Sequence, residues 1–346
     1  MTGFLWELPT RRDGRRADPT LWRRGGFDHL HQVVDAAELS GVDGVVATYD
    51  PDGEESWIVA GGALRHTRHC RVVVEFTPSF GTPVYAAKMS LTLQRLGADR
   101  LDWLLKVDTD PEDDRRRGDR VGGAARYERA AEFLTVARGV WSGRGAAPGG
   151  FDGGEFDHHG RYFDVVAGGF DEAADGHAFP VVHLSGTSPE AIALSAAHGD
   201  VHLFSASTPD LTADVRALAA AAAQHGRTVR TGLVLPVIAR EDEHEAWARV
   251  LRLWREIDPS ATERELRSRA RDGVLFHGFD RIGHRARAGL VGSYDQVARR
   301  LGDYTRAGID TVVLSGHPAI EEIHRAGEHL LHLADPAGRT LRGARA

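Results

Sequence analysis

Eight short runs of apolar, largely β-branched residues recur along this chain of 346 residues. They are FLWEL (4–8), GVVAT (44–48), RVVVEF (71–76), LDWLLKV (101–107), VVHL (181–184), VHLFS (201–205), TGLVLPVIA (231–239) and TVVLSG (311–316). Helical periodicity fills most of the intervals between them, at 27–40, 83–96, 127–141, 211–225 and 294–307. Near-continuous apolar runs of this length read as strands buried on both faces, the state of parallel strands covered by helices. The phrase helix, Gly, Val or Ile, Asp, strand occurs twice, at Gly41-Val42-Asp43 and Gly308-Ile309-Asp310. There the glycine stops a helix and the next run re-enters the sheet. Eight strands alternating with helices over this length predict a (β/α)8 TIM barrel as a single domain over 1–334. A doubly wound open sheet is the alternative. No G-x-G-x-x-G follows a strand, which weakens a dinucleotide fold.

Two intervals exceed a simple connection. Residues 142–179 are rich in Gly and Asp, and residues 255–292 are rich in Arg. Long insertions on a barrel are expected to be lids or oligomer contacts. The tail 335–346 is expected to be flexible.

Composition narrows the class. Apolar residues make up 42% and charged residues 27% of the chain, as in soluble globular proteins. A net charge of −7 argues against nucleic acid as the partner. The start MTGFLWELPT lacks a charged leader and a long apolar core, so no signal peptide is expected, and no run is long enough for a membrane helix. The single Cys70 excludes an intrachain disulfide and a cysteine metal cluster. A cytoplasmic location is the default expectation.

The segment Pro180–Ser205 carries the sharpest local signal. It reads strand, turn Ser185-Gly186-Thr187-Ser188, helix from Pro189, strand. The turn presents backbone N–H groups and three hydroxyls at a helix N-terminus, which favours a bound anion such as a phosphate. A well-capped helix with no ligand is the other reading.

Catalytic residues of a barrel sit at the C-terminal strand ends. Reading past each strand yields Thr10, Arg11 and Arg12; Tyr49, Asp50, Glu54, Glu55 and Trp57; Thr77, Pro78 and Ser79; Lys106 and Asp108; Ser185 to Ser188; Ser205; Pro236; and His317. No triad is recognisable. His317 is a candidate general base or substrate donor, or a rim histidine. Arg11 and Arg12 are candidates for an anionic substrate group, or surface charge. His29 with His31, and His158 with His159, lack a third ligand at metal spacing, so no metal site is expected. The acidic run 108–114 reads as a solvated loop.

Several segments together resemble one family. FLWELPTRRDG, GEESWIVAGGALRHTRHCRVVVEFTPSFGTPVYAAKMSLTLQRLGADRL, ARYERAAEFLTVARGVW, VHLSGTSPEAIALSAAHGDVHLF and GLVGSYDQVARRLGDYTRAGIDTVVLSGHPAIEE are similar, in order, to segments of the alkanesulfonate monooxygenases. These belong to the bacterial-luciferase-like flavin monooxygenases. The resemblance implies a barrel with a lid between strands seven and eight. It implies reduced FMN as co-substrate, oxygen, and a separate NAD(P)H-dependent flavin reductase as partner. It also implies a small-molecule substrate and a homo-oligomer, dimer or tetramer. Carried over by position, Gly186, Thr187, Ser188 and Tyr127 hold the FMN phosphate and Lys106 lies near the flavin. His317 and Arg11 take the catalytic positions, and Tyr49, Trp57, Arg285 and Arg287 face substrate.

The departures concentrate at the substrate. Arg11 stands where the family has histidine, and Gly53 lies near the place of its cysteine. Leu104 to Asp108 replace its N-L-V-T-G, Val234-Leu235-Pro236 replace R-L-H, and His317 replaces a tyrosine. The expected function is therefore a reduced-FMN-dependent two-component monooxygenase acting on something other than a simple alkanesulfonate, such as a biosynthetic intermediate. A deazaflavin-dependent oxidoreductase, a non-catalytic flavin-binding paralogue and a barrel enzyme for a phosphorylated substrate are the alternatives.

Overall fold

A computed structural model describes residues 3–142, 156–170 and 176–336. The eight expected runs are all strands: β1 (Gly3–Glu7), β2 (Gly44–Ala47), β3 (Arg71–Phe76), β4 (Leu101–Leu105), β7 (Val182–Ser185), β8 (Val201–Ser205), β9 (Arg230–Arg240) and β13 (Thr311–Ser315). They follow one another in the sheet in chain order, and β13 and β8 both pair with β9. With helices between the strands, this is a closed parallel (β/α)8 barrel. Helices α1 (Phe27–Leu39), α3 (Pro83–Gly97), α5 (Ala125–Ser142), α7 (Leu211–Gln224) and α10 (Tyr294–Arg306) lie where periodicity predicts them.

The chain divides into two compact units. One contains the described residues of Met1–Glu55, Leu203–Val215 and Arg230–Ala346; the other contains Ser56–His202 and Arg216–Val229. In the first unit β1 pairs in parallel with β13 (Phe4↔Val312) and with β2 (Leu5↔Gly44), and β13 pairs with β9 (Val312↔Leu233). In the second, β3 pairs with β4 (Val72↔Leu101) and β4 with β7 (Trp103↔Val182). Trp57, Phe76, Trp103 and Phe133 form an aromatic cluster there, with Phe76 and Trp103 centroids 5.2 Å apart. All four are buried.

The interval 255–292 is structured. It contains α9 (Glu263–Arg267), β10 (Ala270–Arg271) and β11 (Leu275–His277), and leads into β12 (Ala288–Ser293). Besides β8, strand β9 is long enough for two further partners: Gly232 to Pro236 pair with β13, and Val237 to Arg240 pair with β12. Helix α8 (Glu243–Trp254), capped by Asp242, packs under this arm. Trp247, Trp254, Phe276, Phe279 and Val291 share one buried cluster. The acidic run is not wholly a loop. Asp110 caps a short helix, α4 (Pro111–Arg116), whose acidic first turn suits the positive helix end.

Within 142–179, residues 143–155 and 171–175 lie outside the described residues, as does most of the expected flexible tail. The remainder holds a hairpin of β5 (Phe156–His159) and β6 (Asp164–Gly168), fastened to α5 by Glu132 and, through the side chains of Arg161 and Tyr162, by Glu128. Glu132 accepts the backbone N–H groups of Phe163 (2.7 Å), Tyr162 (3.0 Å) and Arg161 (3.2 Å), and lies 3.3 Å from His158 Nε2. Burial pushes the Glu132 carboxyl up, but these donors outweigh it and its pKa lies below the usual value. Glu132→Ala should release the hairpin. Limited proteolysis is expected to cleave near 156–168 at least ~10-fold faster than in the parent, since each charge-assisted bond is worth about 1.5–3 kcal/mol; equal rates would contradict the tether.

Candidate functional site

In the first unit, the C-terminal ends of β1, β2 and β13 open into a cavity of about 280 Å³. Its wall includes Glu7, Thr10, Arg11, Arg12, Trp22, Thr48, Asp50, His284, Arg285, Ser315 and His317. The loop after β1 is fixed by hydroxyls: Thr10 Oγ1 is 2.9 Å from both the carbonyl oxygen and Oγ1 of Thr48, and Thr48 Oγ1 donates to the Leu8 carbonyl. Trp22 is wedged between two glycines. A Cβ on Gly14 or on Gly283 (φ +93°) would lie 2.6 Å from its ring atoms. Only glycine admits an indole this close at both places.

Asp13 organises the wall. Its side chain is buried, and its carboxylate accepts the Ala319 N–H at 2.9 Å, the Gly14 N–H at 2.9 Å and His317 Nδ1–H at 3.1 Å. His29 Nε2 on α1 lies 3.2 Å away. Ala319 begins α11 (Ala319–Arg325), whose N-cap is Pro318 with no side-chain cap, so Asp13 caps that helix from 306 residues away. Burial pushes the Asp13 carboxyl up, but His317, the Ala319 amide and His29 together hold its pKa below the usual value.

An ionised Asp13 fixes the tautomer of His317. Nδ1 carries the proton, and Nε2 is left as the basic nitrogen. The His317 ring lies 4.3 Å from the Trp22 ring and 4.8 Å from the His284 ring, centroid to centroid. His284 is buried, and burial together with nearby His317 and Arg249 holds its pKa well below the usual histidine value. It is therefore neutral, and its Nδ1 has no hydrogen-bond partner among the described residues.

Of the residues singled out from sequence, Thr10, Arg11, Arg12, Asp50, Arg285 and His317 share this cavity. Arg11 is held by Asp52 (2.9 Å) and Asp50 (3.9 Å), and Arg285 lies 3.9 Å from Glu7. Tyr49 and Arg287 do not line the cavity; Arg287 is exposed, and its carbonyl accepts the Gly278 and Phe279 N–H groups. Trp57 belongs to the second unit and is buried in the aromatic cluster, its ring 4.9 Å from Phe76. Asp13, Trp22 and His284 escaped the strand-end reading. Asp13 and Trp22 lie further along the β1 loop than the residues next to the strand. His284 sits on the arginine-rich arm.

The turn Ser185–Ser188 belongs to the second unit and has the expected local form. Ser188 Oγ caps α6 (Pro189–His198) by accepting the Ala191 N–H at 3.1 Å, and Pro189 occupies the first helical position. Gly186 has φ +125°. Tyr127 comes to the turn as expected, its hydroxyl 3.1 Å from Ser188 Oγ. Thr187 is exposed. The Nζ of Lys106 lies 3.9 Å from Glu75 Oε1.

Asp108 is present at the turn as well. It accepts the Tyr127 hydroxyl, and a Cβ on Gly186 would lie 2.7 Å from Asp108 Oδ2 and 2.7 Å from the Ala191 Cβ. The donors suit a phosphate, but a carboxylate already stands among them. The phosphate of FMN does not fit this arrangement.

A family model described as luciferase-like monooxygenase matches residues 2–311. The fold is shared with EDTA monooxygenase (EmoA) from Chelativorans sp. BNC1, at 18% identity and a TM-score of 0.75, covering 97% of this chain and 94% of that one. A riboflavin lyase (RcaE) solved with modified FMN and riboflavin aligns at 19% identity and a TM-score of 0.74, covering 100% and 94%. An F420-dependent secondary alcohol dehydrogenase aligns at 16% identity and a TM-score of 0.70, covering 96% and 99%. Among the described residues no helix is long and apolar enough to cross a membrane. With its model matched from residue 2 to residue 311 and its barrel strands in order, the chain belongs to the luciferase-like monooxygenase family.

Proposed function

We propose that this protein is a flavin-dependent monooxygenase that oxidises a small polar organic molecule in the cavity at the ends of β1, β2 and β13. The observation that carries the reading is the pairing of buried Asp13 with His317, which lines that cavity. A reduced flavin, delivered by an NAD(P)H-dependent flavin reductase, supplies the electrons that activate oxygen. The family resemblance suggests FMN, whose phosphate the Asp108 carboxylate beside Gly186 would oppose. A homo-oligomer, dimer or tetramer, is part of the same reading.

The chain's own residues supply acid–base chemistry and binding. His317 Nε2 accepts a proton from the substrate or returns one to it, and Asp13 stabilises the imidazolium so formed. Neutral His284 adds an uncharged ring to the cavity wall. Arg11 and Arg285, each with a carboxylate beside it, give a cavity of mixed charge. That setting favours a substrate with both polar and anionic groups over a bare sulfonate. The arm that brings Gly283 to Arg285 to the cavity wall serves as its cover.

A second reading, a deazaflavin-dependent oxidoreductase, is favoured by the likeness to the F420-dependent alcohol dehydrogenase over 99% of that chain. Anaerobic titration with reduced flavin and with reduced deazaflavin separates the two. Saturable binding of flavin supports the first, and binding of deazaflavin alone supports the second. His317→Ala is expected to lower kcat by about 10²–10⁴, the range for a lost general acid–base group, while changing flavin affinity less than about threefold. An unchanged kcat would reduce His317 to a rim residue.

Asp13→Asn tests the pair without a substrate. The folded pKa of Asp13 lies below the ordinary 3.8, so the carboxylate stabilises the fold above that value and the contribution is lost as pH falls through the folded value. Urea denaturation at pH 7 should find the variant less stable by about 2 kcal/mol, from weakened hydrogen bonds to a buried charge. The gap should narrow below about pH 4. A gap independent of pH would show that Asp13 is not an ionised partner of His317.

A further inference from the structure

We infer that Asp108 sets the choice of cofactor, so that this chain takes a flavin whose side chain ends in a free hydroxyl in preference to one ending in phosphate. The inference rests on the flavin reading above and concerns the second unit alone.

The residues around Gly186 hold one more negative charge than a phosphate cradle admits. A cradle for a phosphate dianion presents donors and excludes carboxylates. Here the donors are the N-terminal end of α6 and the hydroxyls of Tyr127 and Ser188. Tyr127 already gives its proton to Asp108 Oδ1. Asp108 Oδ2 stands directly against Gly186, 2.7 Å from where a Cβ would lie. Glu190 adds a second, exposed carboxylate in the first turn of α6. The neighbouring Arg126 directs Nη1 to the Thr109 carbonyl at 3.1 Å.

Charge and hydrogen-bond polarity therefore agree. A carboxylate has no proton to donate, and a phosphate dianion has none either, so the two repel and share no bond. A terminal CH2–OH group donates to Asp108 Oδ2 and accepts from a backbone N–H or from Ser188. The same logic lets an acidic side chain select an unphosphorylated ribose in dinucleotide-binding folds. Strand β4 brings the acid to this place through Leu104 to Asp108, the stretch that departs from the N-L-V-T-G of the resembling family.

The test is titration of the full chain with riboflavin and with FMN, oxidised and anaerobically reduced, for the parent, Asp108→Asn and Asp108→Ala. Riboflavin is expected to bind the parent at least tenfold more tightly than FMN, a difference of about 1.4 kcal/mol. Both variants should gain at least tenfold in FMN affinity, and the alanine variant should lose about tenfold in riboflavin affinity with its hydrogen-bond acceptor, so that the preference for riboflavin disappears; the alanine variant guards against a fold-specific effect of asparagine. FMN binding the parent as tightly as riboflavin, or tighter, overturns the inference and leaves the flavin reading intact. A preference for riboflavin that survives in both variants overturns the role of Asp108. Binding of neither flavin in either redox state overturns the flavin reading, and the inference with it.

Discussion

Everything chemical in this molecule follows from the need to pair every backbone group of strands that are buried on both faces. Parallel strands such as β1, β2, β9 and β13 satisfy that need only along their lengths. Val45, Val312 and Leu233 are fully buried and have no polar work to do. Polar side chains concentrate where the ladder stops, and in the first unit that is where Thr10, Thr48, Ser315 and His317 stand. The cavity is thus a consequence of where pairing ends, and its chemistry depends on which residues the loops bring there.

The loops need fixing in their own right. In the first unit Asp13 does much of this, joining the β1 loop to the N-terminus of α11 and to His317. A buried carboxylate is stable only with several donors, so the ionised state and the geometry of its neighbours support each other. Removal of the charge leaves a helix end uncapped and a histidine free to change tautomer. In the second unit Glu132 plays the comparable structural part, gathering three consecutive amides of a hairpin onto α5.

The barrel was legible because its signal is local and repeated. Each strand is a short apolar run and each helix has its own period, so no long-range information is needed to find RVVVEF or VHLFS. The capped turn at Ser188 was legible for the same reason: Ser followed by Pro and Glu is a helix start wherever it occurs. The arm between β9 and β13 was less visible. Its strands β10 and β11 are two and three residues long, and they exist because β9 runs on far enough to pair with β12. The roles of the single residues were the least visible. Trp57 stands as a candidate for substrate until the cluster of rings shows it packed against Phe76.

By itself the sequence determined the order of strands and helices, the barrel class and the helix cap after β7, because propensity, periodicity and capping act over a few residues. Tertiary structure alone decided which polar groups meet. Asp13 and His317 are 304 residues apart, and Asp108 and Ser188 are brought to Tyr127 from opposite directions along the chain. Those meetings depend on the ends of different strands arriving at one place, and they settle what a local motif leaves open: a turn that favours an anion by its dipole has a carboxylate of the chain itself beside it.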